Sequence, residues 1–65
     1  MMVYESLFYR GKPAGRMFFD SDTGIYRYSP NRCNDPDLDE IAAAEFTNPD
    51  DLRRAVLNCL EARSD

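Results

Sequence analysis

The sequence predicts a small α+β domain, a three-stranded antiparallel meander followed by two helices, and three observations carry that expectation. Aromatic and β-branched residues crowd the first half of the chain, turn chemistry interrupts them twice, and an Asx-Pro-Asp helix start occurs twice in the second half. With 65 residues the chain has room for one core, so residues 1–65 form a single domain.

Met2 to Arg10, Arg16 to Asp20 and Ile25 to Ser29 read as the strands. Gly11 to Gly15, with Pro13 between the glycines, suits a five-residue hairpin connection. Ser21-Asp22-Thr23-Gly24 suits a turn with Gly24 in the left-handed region. Val3, Leu7 and Tyr9 alternate onto one face of the first strand, and Met2, Tyr4 and Phe8 onto the other. A helix covers only one face, so some of Tyr4, Phe8, Phe18, Tyr26 and Tyr28 must lie exposed or at an interface.

Asn31 to Asp35 reads as a loop. Asp35-Pro36-Asp37 and Asn48-Pro49-Asp50 then each offer an N-cap, a proline at the first helical position and an acid. A short acidic helix is expected over Pro36 to Glu45, with a strand or irregular segment over Ile41 to Phe46 as the alternative. The second helix, Pro49 to about Ala62, spaces Leu52, Ala55, Val56, Cys59 and Leu60 as one apolar stripe to pack on the sheet and turns Arg53, Arg54, Asn58 and Glu61 outward.

Composition closes several function classes. Histidine is absent and Cys33 and Cys59 stand alone, leaving too few soft ligands for structural zinc. The opening residues lack the basic start and apolar run of a signal peptide, and no apolar stretch approaches membrane-spanning length, so a cytoplasmic protein with free thiols is expected. Asp22-Thr23-Gly24 is the aspartic-protease triplet, but this chain is too short for that all-β fold and the residues are ordinary turn formers. Asp35-Pro36-Asp37-Leu38-Asp39 opens like an EF-hand loop, yet Glu40 stands where glycine is required and Phe46 where the bidentate glutamate belongs. Cys33 beside Arg32 lacks a predictable base, so no enzyme, cofactor or metal is expected.

What stands out is charge. The formal net charge is -4, and residues 1 to 32 hold five basic side chains against three acidic, while residues 33 to 65 hold three against nine. Between Asp35 and Asp51 lie Asp35, Asp37, Asp39, Glu40, Glu45, Asp50 and Asp51 with no Lys, Arg or His among them. Helix N-termini account for Asp37, Asp50 and Asp51. The remaining density suggests a row of carboxylates spaced about 5 to 6 Å along a helix, comparable to successive phosphates of one nucleic-acid strand. Such a row would fill a Lys- and Arg-lined groove, with Tyr26 and Tyr28 as anchors, and the same sign disfavours direct nucleic-acid binding.

In size, in charge layout and in its strand meander followed by an Asp-rich helical half, the chain resembles the small phage-encoded anti-CRISPR proteins, in particular inhibitors of the type I-C surveillance complex. That resemblance covers the whole chain in format and carries over only the Asp35 to Asp51 segment. It implies a protein in the cytoplasm of a bacterial host that binds a basic nucleic-acid-binding protein, the PAM-reading subunit of a type I complex, and blocks target DNA binding without catalysis; separately, a monomer is expected over a dimer, with the exposed aromatics leaving a dimer open. The competing expectation is an antitoxin-like or adaptor module that binds a protein through its aromatic sheet face.

Overall fold

A computed structural model describes residues 2–31 and 35–63. It contains strands β1 (Met2–Tyr9), β2 (Lys12–Asp20) and β3 (Ile25–Ser29) and helices α1 (Pro36–Ala43) and α2 (Pro49–Arg63). The strands form one antiparallel sheet in the order β1-β2-β3, and both helices pack on the same face, giving the expected α+β fold.

The first hairpin is tighter than expected. β2 starts at Lys12, which pairs with Tyr9, leaving only Arg10 and Gly11 as the connection. Both adopt positive φ, 52° and 77°, the pair of values that a type I′ hairpin demands. Pro13 and Gly15 therefore lie inside a central strand, which is possible because the register shifts between Leu7 and Phe8 and absorbs the extra residue, Ala14. Gly15 has φ 109°, and a Cβ built on it would sit 2.6 Å from the Ser29 carbonyl oxygen and 2.8 Å from the Tyr28 ring. Only glycine lets β3 approach β2 that closely. The second turn is as expected: the Gly24 amide donates to the Asp20 carbonyl at 2.8 Å and Gly24 has φ 72°.

A second register shift, between Val3 and Glu5, places Tyr4 out of simple alternation. Its ring reaches the helix-bearing face, 5.1 Å from Tyr26 and edge-on to it, with Phe19 completing the cluster 4.7 Å from Tyr26. Among the described residues no helix covers the opposite face, which carries Val3, Ser6, Phe8, Arg16, Phe18 and Arg27 by alternation.

The core is Leu7, Ala14, Met17 and Tyr28 from the sheet, Leu38 from α1, and Leu52 and Val56 from α2. Met17, Leu52 and Val56 are essentially inaccessible to solvent. Ala55, Cys59 and Leu60 extend the α2 stripe as half-buried residues. α2 thus forms as its apolar spacing requires, running to Arg63, and its start is capped by the Asn48 side chain, which accepts from the Asp50 amide at 2.8 Å.

α1 ends sooner than Glu45. Ala44 turns extended, with ψ 157°, and Phe46 then forms an antiparallel bridge to Tyr26, exchanging backbone hydrogen bonds of 2.7 and 3.2 Å. The helical preference of the alanine run yields to satisfaction of the β3 edge, so the alternative foreseen for the end of this segment holds for Glu45 and Phe46. Among the described residues no helix is long and apolar enough to cross a membrane.

Candidate functional site

The site expected from the sequence was an unneutralised acidic segment with tyrosine anchors, and its members take three different roles. Asp35 is the N-cap of α1, with φ -120° and ψ 94°, and its Oδ1 accepts from the Leu38 amide at 3.3 Å. The same carboxylate pairs with the Arg63 guanidinium from the end of α2, and Arg63 also reaches Asp37 at 3.6 Å. Asp50 pairs with Arg53 one turn along α2. Glu45 accepts from Arg27 at 2.8 Å across the short bridge beside β3, where the backbone pairing of Phe46 with Tyr26 sets them side by side.

Asp35, Glu45 and Asp50 are therefore matched within the molecule, which corrects the expectation of one continuous ridge. The geometry separates the acids as well. Asp35 and Asp37 lie by the C-terminus of α2 while Asp50 and Asp51 open its N-terminus, and at about 1.5 Å per residue those groups stand roughly 20 Å apart. What remains is compact: Asp37, Asp39 and Glu40 are exposed on α1, and Asp37 and Glu40 fall on one side at three-residue spacing. Asp51 is exposed at the far end.

The tyrosines divide too. Tyr28 is 3% exposed, packs in the core and donates its hydroxyl to the Ala14 carbonyl, so it cannot anchor a partner. Burial, then the nearby Asp35 carboxylate, pushes its phenol up from the ordinary value. Tyr26 is half-buried against the core and shares the Tyr4 and Phe19 cluster. The accessible apolar surface instead comprises Met2, Val3, Tyr4 and Phe8 of β1 with Leu57 of α2, and Phe8 is 62% exposed. Met2 and Val3 could have been suspected from the crowding of both faces of the first strand. Leu57, one position off the α2 stripe, is visible in the sequence as an outward leucine.

Arg53 was expected to point outward, yet it is half-buried and spans the molecule. Its Nε and Nη2 donate to the two Glu5 carboxylate oxygens at 2.9 and 2.7 Å, a bidentate pair tying α2 to β1. The hydrogen bonds from Arg53 hold the Glu5 carboxyl below its ordinary value, and those from Arg63 do the same for Asp35. A carboxyl whose folded value is depressed adds stability above its unfolded value and loses it as pH falls through the folded one. The thermal midpoint should therefore be level near neutrality and decline once pH drops below about 4.5, the ordinary glutamate value. Glu5→Gln should flatten that decline in a melting series from pH 7 to pH 3.

Asp35 is committed to the α1 cap and to Arg63, an arrangement that leaves the first EF-hand-like position occupied by protein donors. Cys59 is a free, half-buried thiol against the core, and Cys33 and Arg32 lie outside the described residues. Comparison with protein-family models, curated proteins and solved structures finds no match.

Proposed function

We propose that the chain is a stoichiometric inhibitor that presents the α1 carboxylates to a cation-lined nucleic-acid-binding site, the PAM-reading surface of a type I CRISPR surveillance complex, and so competes with target DNA. The observation that supports this is the residue of charge left after internal pairing. Asp39 and Glu40 stand exposed with no salt-bridge partner among the described residues, beside an Asp37 that touches only the edge of the Arg63 pair. Their helix is short but fixed at both ends, by the Asp35 cap and the Phe46 bridge, and Leu38 pins it to the core. Carboxylates on a fixed backbone meet a basic groove without the ordering cost a flexible acidic tail would incur. The action is non-catalytic, depends on the folded chain alone, and places the protein in the bacterial cytoplasm with the complex it binds.

A second reading has its own observation. The exposed apolar residues Val3 and Phe8, on the face without helices, fit an adaptor or antitoxin-like module that docks a protein through the sheet. Ionic strength separates the two. Binding of the chain to the type I-C complex, followed by interferometry from 50 to 300 mM salt, should weaken steeply if carboxylates lead, whereas binding led by the sheet should change little. A flat series would move the contact to β1 and remove the α1 carboxylates from it.

A further inference from the structure

We propose that the chain binds a small amphipathic anion, a carboxylate or phosphate on an apolar body, in a cavity beside the β1-β2 hairpin. The cavity holds about 560 Å³, within the range of sites that take small organic molecules. Its position follows from the fold. The tight hairpin, the start of α1 and the end of α2 all reach it, and the residues they supply differ in kind. Tyr9, Pro13, Ala14, Leu38 and Leu60 give it apolar walls, while Lys12, Asn31, Asp35 and Arg63 bring polar groups.

The charges select the ligand. Asp35 is the single acid among these residues, and it is already taken, for it caps α1 and accepts from the Arg63 guanidinium. Lys12 is exposed and has no salt-bridge partner among the described residues, and Asn31 is exposed near it. Arg10 adds a cation over the Tyr9 ring, 5.3 Å from its centroid. Asp37 touches Arg63 at 3.6 Å but is not among the lining residues. In an acidic chain this one cavity is bordered by surplus positive charge. Lys12 and Asn31 meet the anionic head, and Leu38 and Leu60 take the apolar body.

Tyr9 is an independent sign of a ligand. Its hydroxyl is enclosed and has no hydrogen-bond partner among the described residues, whereas the core tyrosine Tyr28 donates its own to the Ala14 carbonyl. Folded proteins rarely leave such a group unpaired, and each exception calls for a cause. Tyr9 lines the cavity, so a small swing of its ring into that space hands the hydroxyl proton to an anion seated there. Asp39 and Glu40 do not line the cavity, so the site stands whether or not the α1 carboxylates meet a partner.

Phenyl phosphate and benzoate, titrated separately into the isotope-labelled chain and followed by amide NMR, test the site and tell a phosphate head from a carboxylate head. Ligands of about ten non-hydrogen atoms support millimolar binding. The expected result is saturable shifts at the Tyr9, Ala14, Leu60 and Arg63 amides with one or both anions. Benzyl alcohol, which lacks the charge, and inorganic phosphate, which lacks the apolar body, should each bind at least tenfold more weakly. Lys12→Glu, at an exposed position, should leave the circular dichroism unchanged and weaken the better anion at least tenfold. Tyr9→Phe should weaken it several-fold without lowering the melting temperature, whereas a hydroxyl that only supports the fold would lower the melting temperature and spare the affinity. Equal binding of benzyl alcohol or inorganic phosphate would overturn the proposal, as would the lack of saturable shifts at the cavity or an affinity unchanged in both variants.

Discussion

Met17→Ala is expected to leave the chain largely unfolded at 37 °C. Met17 sits at the centre of the middle strand, is fully buried, and lies between Glu5 and Tyr28 on its neighbours, under Leu52 and Val56. Truncating such a side chain removes its transfer energy and leaves a cavity, typically about 2 to 5 kcal/mol. A chain of this length holds a total of about 3 to 10 kcal/mol. The loss is therefore comparable to the whole, and urea titration should show the midpoint collapsing toward zero. Leu52→Ala should behave alike, since Leu52 brings α2 to the same point. By contrast, Leu57→Ala on the exposed side of α2 should move the midpoint little.

Reversing Asp37, Asp39 and Glu40 together to lysine is expected to abolish binding to the CRISPR complex while keeping the fold. None of the three is in the core, and the α1 cap belongs to Asp35. Acids near a helix start are favourable, so a small drop in melting temperature is expected, far short of unfolding. Binding should fall by at least a hundredfold, because three attractive contacts become three repulsive ones in a cation-lined groove. Reversing Glu45 and Asp50 instead should cost stability first, through Arg27 and Arg53, and affinity second. That contrast distinguishes carboxylates that face outward from those the protein uses itself.

Much of the fold was written locally. The α2 stripe follows a helical period, the Asp35 and Asn48 caps follow from residue type, and Gly24 marks its turn. The start of β2 was hidden because Pro13 and Gly15 normally signal a loop, and only the register shift at Leu7 and Phe8 lets a central strand hold them. The end of α1 was hidden because a long-range bridge to Tyr26 overrode the local preference of three alanines.

The site was legible in composition and illegible in pairing. Arg63 reaches Asp35 across 28 positions, Arg27 reaches Glu45 across 18 and Arg53 reaches Glu5 across 48, separations at which no local spacing rule operates. Only Asp50 with Arg53, one helical turn apart, could have been paired from the sequence. Tyr28 shows the same limit in the sheet. Alternation says that Tyr26 and Tyr28 share a face, but which end of that face the helices cover depends on tertiary packing.

The most direct test is competition for DNA. Type I-C surveillance complex would be incubated with increasing amounts of the chain, then offered labelled target duplex bearing its PAM, and capture read by gel shift. The proposed inhibitor should suppress capture at near-equimolar ratio, and excess unlabelled duplex added first should block its binding. Full DNA capture in the presence of a large excess of folded protein would contradict the proposed function outright.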